Sequence, residues 1–323
     1  MRERDFESQH APLWHRFEQQ VAGGDARKAV LDEQFPQLYR QLCHHLAMAR
    51  QRDYSEALVN RLNRLVMAGH HQLYRREQRL GLEMVARALA QFVITLRHAR
   101  VYLICAVLLF LLPALVVGSA TYFDHSVAYS LMSPAQVADI ESMYDPDNRR
   151  IGPERDAETD LVMFGYYIKH NIGIAFRAFA GGIFLGIGSV WVLLFNGVFL
   201  GAVAGYLTQA GFSETFYPFV IGHGAFELTA IVISGAAGMM VGYALINPGR
   251  FRRVEALRLA AAKAVRLMYG AMFMLLVAAF LEAFWSSSTQ LPVVLKLSVG
   301  AGFWLLVLWF CFFSSIGQRR ESY

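Results

Sequence analysis

Cysteine is scarce in this chain: Cys43, Cys105 and Cys311 are the only three among 323 residues, and no two stand at CxxC spacing. A disulfide framework or a zinc knuckle is therefore not expected. A P-loop, an HExxH run and any Ser-His, Cys-His or paired-Asp arrangement at convincing spacing are lacking too, so no catalytic residue is assigned and an enzyme is not expected. The opening residues, MRERDFESQH, have no apolar core of the kind a cleavable signal carries, so the N-terminal part is expected to stay on the side where it was made. Charge is sparse in the long runs after Val101, where the apolar residues that make up 55% of the chain are concentrated. That profile excludes a purely soluble protein and indicates an integral membrane one, with the lipid bilayer as its first partner.

The net charge is +5, from 30 Lys and Arg against 25 Asp and Glu. In a membrane chain such an excess marks cytoplasmic faces and contact with anionic headgroups, and nucleic acid is not expected. Residues 1–100 read as a cytoplasmic helical head, with apolar residues at three and four spacing among Arg, Glu and Gln, and with AGGDA and the Arg-Asp step near 52 as turns. In its last helix Leu58, Leu62, Leu65 and Met67 offer a core stripe, while Arg61, Arg64, Arg75, Arg76 and Arg79 offer a basic face. Residues 101–121, opening VYLICAVLLFLLPALVVGSA, are long enough to cross the hydrocarbon core, and Arg97 and Arg100 before them put the N-terminus inside.

Residues 122–170 are acidic and are expected outside. Within them Ser133, Pro134 and Gln136 carry the signature of a capped N-terminus, which predicts a short amphipathic helix over SPAQVADIESMY. DPDNRR lacks the bidentate Glu of a calcium loop and reads as a turn. Residues 171–323 read as a five-helix membrane core: spans over 172–195, from Gly197 with the helix continued or interrupted before Pro218, over 224–246, over 266–285 and over 292–316. The stretch 247–266 carries Arg250, Arg252, Arg253, Arg258, Lys263 and Arg266 against Glu255 alone and must be cytoplasmic. The reading is all-α: a polytopic membrane protein with six transmembrane helices, both termini cytoplasmic, and a soluble helical head.

Small residues recur at four-residue spacing: Ala178, Gly182 and Gly186; Gly197, Gly201 and Gly205; Ser234, Gly238 and Gly242. Such stripes let helix backbones approach closely, within one chain or, as the alternative, at a homodimer seam. Ionisable groups at membrane depth are costly, so each needs a partner, a cavity or an interface. The candidates are Arg177, Asn196, His223, Glu227 and Glu282. His223 and Glu227 share one helix face, on the first turn of the span over 224–246. By topology Arg177, His223, Glu227 and Glu282 converge on one layer near the outer leaflet. Three readings compete for it: a satisfied polar cluster with Arg177 paired to a carboxylate, a transport or proton-relay site, and metal ligation by His223, Glu227 and Glu282. The first leads, and neither a resident metal nor a cofactor is expected.

The stretch NIGIAFRAFAGGIFLGIGSVWVLLFNGVFLG, from Asn171 to Gly201, together with GHGAFELTAIVISGAAGMMVGYALINPGR, resembles the stage II sporulation protein M family of bacterial membrane proteins. In the head Trp14, LYRQLCHHLAMAR and LVNRLNRLVMAGHHQLY are similar to that family as well. Gly222 and Thr229 stand where the family often has Pro, and His170 where it commonly has Asn. The resemblance implies a multi-pass protein of the bacterial inner membrane that anchors and recruits envelope or membrane proteins. In spore formers these are peptidoglycan-degrading partners, and in other bacteria a MoxR-type ATPase system is implied. The leading expectation is a non-enzymatic scaffold; the alternative is a transporter or channel that uses the intramembrane Glu, His and Arg residues.

Overall fold

The computed structural model describes residues 2–22, 35–148, 151–152 and 160–312, with the side chains of 71–83 and 312 outside the description. Residues 23–26 of the AGGDA turn, Glu154, Asp156, Glu158 and the GQRRESY tail fall outside the described residues. Among the described residues the regular elements are helical, and the chain divides into two compact units, Met1–Arg87 and Ala88–Tyr323.

The first unit holds α1 (Glu3–Ala22), α2 (Phe35–Gln51) and α3 (Glu56–His98) as far as Arg87. Leu38, Leu42 and Leu46 recur every four residues along α2 and bury one stripe against Trp14, Phe17 and Leu62. Trp14 Nε1 donates to His45 Nδ1 at 3.2 Å, which satisfies both polar groups inside this core. Met67, expected in the stripe, is 49% exposed, because two residues beyond Leu65 a helix has turned by about 200°. Arg61 is not a free member of a basic face either: its guanidinium lies 5.9 Å above the Trp14 ring and 3.7 Å from Glu18.

The second unit contains α4 (Arg100–Phe123), α5 (Ser126–Leu131), α6 (Pro134–Met143), α7 (Asp160–Ala180), α8 (Ile187–Gln209), α9 (Ser213–Ile246), α10 (Arg253–Phe280) and α11 (Val293–Phe312). Among the described residues five helices are long and apolar enough to cross a membrane: α4, α8, α9, α10 with the turn after it, and α11. Large apolar side chains such as Ile104, Leu108, Leu115 and Val116 stand exposed on α4, as a lipid-facing helix requires. α7 carries Asp160, Lys169 and Arg177 and is not among the five, so the expected count of six is not reached on length and apolarity.

The span expected over 172–195 is broken. α7 ends at Ala180, a tight turn covers Gly181–Ile183, and Leu185 (φ 54) and Gly186 (φ 85) take left-handed conformations that turn the chain into α8. A second reversal lies between Gln209 and Ser213, with Gly211 at φ 96. Pro218 consequently lies inside α9, a helix of 34 residues that is the most buried element of the unit.

The small-residue stripes explain how these helices come so close. A Cβ on Gly197, Gly201 or Gly205 would collide with the backbone of Phe110, Ala114 or Gly118 respectively, so α8 lies on α4 backbone to backbone. A Cβ on Gly182 would likewise strike the Gly238 backbone and one on Gly242 the Gly186 backbone, and Ser189 Oγ donates to the Ala178 carbonyl at 2.6 Å.

The acidic segment is ordered over α5, α6 and the turn after them. Ser133 Oγ accepts from the Gln136 backbone while Gln136 Oε1 accepts from the Ser133 N–H at 2.9 Å, a reciprocal capping box with Pro134 in the first turn. Met132 and Val137 pack on Tyr206, Leu207 and Phe216. The Tyr206 hydroxyl donates to Glu141 Oε1 at 2.6 Å. Asp145 Oδ1 accepts from the Asp147 N–H at 2.9 Å, which closes the DPDN turn.

Candidate functional site

Three sequence candidates meet. His223 and Glu227 sit four residues apart on one face of α9, and Glu282 reaches them from the far end of α10. One nitrogen or oxygen from each lies within 4.8 Å of the others. Because α9 starts at Ser213, His223 and Glu227 lie about three and four turns inside it, instead of on its first turn.

Glu282 owes its position to a π-helical turn, Leu281–Ser286, that widens the end of α10. One extra residue per turn rotates the side chains beyond it, and such turns recur where a side chain must be re-aimed. Ser286, four residues after Glu282, lies 3.1 Å from His223 Nδ1. The Phe219 carbonyl is a second partner of the ring, and the Phe219 ring meets the imidazole edge-on at 5.0 Å. His223 is 5% exposed and cannot rotate without breaking these contacts. Gly222 makes room for the turn, since a Cβ there would strike the Trp285 ring.

Arg177 and Asn196 do not join the cluster. α7 begins at Asp160, well before 172, so Arg177 falls in its last turn with an exposed side chain. The helix start therefore removes Arg177 from the layer on which the order of crossings had it converge with His223, Glu227 and Glu282. Asn196 donates instead to the Val192 carbonyl of its own helix at 2.7 Å.

Residues the sequence reading passed over complete the surroundings. Asn171 of α7, 2% exposed, lies beside the Glu227 carboxyl, and its amide nitrogen is buried with no hydrogen bond of ordinary geometry. Lys296 of α11, 5% exposed, donates from Nζ to the Ser286 carbonyl at 2.7 Å and so ties α11 to the π turn. A lone lysine inside PVVLKLSVGAGFWLL is a signal the sequence does carry, because an unpaired charge is costly at that depth.

The acidic segment is fastened to this cluster. The Ile151 N–H donates to the Ser287 carbonyl at 3.2 Å and Thr215 Oγ1 to the Tyr144 carbonyl at 2.7 Å, while within the segment itself Gly152 N–H donates to the Met143 carbonyl at 2.8 Å. The Tyr144 ring stands edge-on to Phe216 and Phe219 at 5.2 and 5.7 Å. Burial pushes its phenol above the ordinary range, and the carboxyl of Glu282, the phenol of Tyr167 and the carboxyl of Glu227 push it further. It therefore stays a neutral hydroxyl beside the two acids.

The family model described as Stage II sporulation protein M matches residues 102–287, more than half of the chain and all within the second unit. A model described as Domain of unknown function (DUF8413) matches residues 4–75, within the first. No curated protein and no solved structure is similar enough to this chain to be matched.

Proposed function

Since the chain belongs to the stage II sporulation protein M family and is a membrane protein, we propose that it is a non-enzymatic scaffold of the bacterial inner membrane, gathering envelope or membrane proteins on its acidic face. The observation that carries this reading is the fastening of residues 124–148 and 151–152 to the membrane helices. A docking surface must hold its shape without a partner, and here the capping box, the Tyr206–Glu141 bond and the strap from Ile151 to Ser287 hold it. Asp139, Asp145 and Asp147 remain exposed on that surface. The Ser126 hydroxyl and N–H hold the Asp124 carboxyl below its usual range, so it is ionised at neutral pH.

In this arrangement α7 makes the sixth crossing, α6 lies outside, and the basic stretch after Ile246 lies in the cytoplasm with both termini. Partners of the cell-wall remodelling kind, or a MoxR-type ATPase system on the cytoplasmic side, are the classes to look for. A transport reading of the cluster loses the guanidinium it relied on, because Arg177 is exposed in the last turn of α7.

The test is a chain in which Asp139, Asp145 and Asp147 are all replaced by Asn, compared with wild type by co-purification from crosslinked cells. Loss of a reproducible partner set is expected. Intact association and phenotype in that chain, and again after deletion of 122–160, overturn the scaffold.

A further inference from the structure

The geometry points to a binding site for one divalent first-row cation of the zinc type, held by His223, Glu227 and Glu282 with Asn171 beside them. Three ligand atoms within 4.8 Å of one another define a triangle whose centre is at most about 2.8 Å from each corner. Zinc–nitrogen and zinc–oxygen bonds are about 2.0–2.2 Å, so each ligand has to close by at most about 0.8 Å, a side-chain adjustment that leaves the backbone in place.

The surroundings are those of a built site. The imidazole is held by Ser286 and Phe219, the outer support that fixes the orientation of a ligating histidine. Glu282 and Ser286 both stand on the π turn, so one local distortion supplies a ligand and the group that steadies another. Asn171 is the independent observation: a polar amide 2% exposed beside the Glu227 carboxyl, its nitrogen outside ordinary hydrogen-bond geometry. Turned about its terminal bond, the same amide presents its oxygen as a fourth ligand and completes a tetrahedral set.

Charge favours the same conclusion. A divalent cation neutralises two carboxylates in an apolar layer, where charge is expensive. An imidazole among the ligands favours zinc, iron or copper-type ions over calcium and magnesium, which prefer all-oxygen sets. On the side of the acidic segment the Tyr144 ring packs edge-on against Phe219, whose own ring meets His223. A bound cation thereby links α9 and α10 beneath the surface that the scaffold reading assigns to partners.

The test uses the full chain in detergent micelles, stripped with a chelator and titrated with zinc alone. One equivalent per chain is expected, with Glu227→Gln and Glu282→Gln each weakening binding at least a hundredfold and Asp139→Asn leaving it unchanged. Hydrogen exchange on wild type keeps the proposal testable if those variants do not fold: zinc must slow exchange around 216–230 and 280–288. Absence of zinc binding, binding undiminished in folded carboxylate variants, or protection confined to the histidines of the head overturns it. Because this readout is metal content and local protection, its failure leaves partner capture by the acidic face untouched.

Discussion

Replacing Gly201 by alanine adds one methyl group at the seam between α4 and α8. Its carbon would lie 2.9 Å from the Ala114 Cα and 3.0 Å from the Ala114 carbonyl carbon, and closer still to the carbonyl oxygen. Carbon atoms attract best at about 3.5–4.0 Å, so the two helices must part locally by roughly 1 Å. Gly197 and Gly205, packed on Phe110 and Gly118, then lose contact as well. Overpacking of this kind costs about 1–3 kcal/mol, against about 1 kcal/mol gained when alanine replaces glycine within a helix. The expected result is a net loss of about 1 kcal/mol for Gly201→Ala and a larger one for Gly201→Leu. Gly302 of α11 supplies the control, because a Cβ there meets nothing within 4 Å. Gly302→Ala is expected to be neutral or stabilising by up to about 1 kcal/mol. Thermal melts of the three variants in one detergent decide the matter. A Gly201→Leu chain that melts with wild type refutes the backbone-to-backbone seam.

Burial, and then the neighbouring His10 and His44, lower the His45 pKa from the ordinary 6.5 to about 4. A histidine kept neutral on folding contributes stability that is present above pH 6.5 and is lost as pH falls toward 4, at most about 3 kcal/mol. Amide exchange over 35–51 should accelerate across that window, and His45→Gln should flatten the dependence. Ser133→Ala removes one side of the capping box and should cost about 1 kcal/mol, seen as faster exchange confined to Pro134–Met143. Tyr206→Phe removes the donor to Glu141 and should loosen the same helix by about 1 kcal/mol, with α8 itself unchanged. Gly222→Ala should shift the π turn through Trp285 and change the fluorescence of that residue more than it changes overall helicity.

The features legible in the sequence are local or compositional. Ser133, Pro134 and Gln136 announce a helix start because a cap needs only residues within one turn. The helical class, the apolar spans and the meeting of His223, Glu227 and Glu282 come from hydropathy, four-residue spacing and the order of crossings. The breaks do not. Gly181–Gly186 looks like the middle of a small-residue span, and nothing in its composition separates a glycine that admits a neighbouring helix from one that reverses the chain. Misplacing that break also misplaces Arg177 by most of a helix length. Asn171 opens a family-like stretch yet gives no sign of a site role in the sequence, because that role depends on the face α7 turns to α9. The π turn that aims Glu282 leaves no mark in LEAFWS.

The acidic face as a docking surface for proteins is best tested by in-cell photocrosslinking from probes at Asp139 and Asp147, with mass spectrometry of the captured molecules. The same few proteins are expected from both positions, as is their loss when Asp139, Asp145 and Asp147 are neutralised. Capture of lipid and of this chain alone contradicts it.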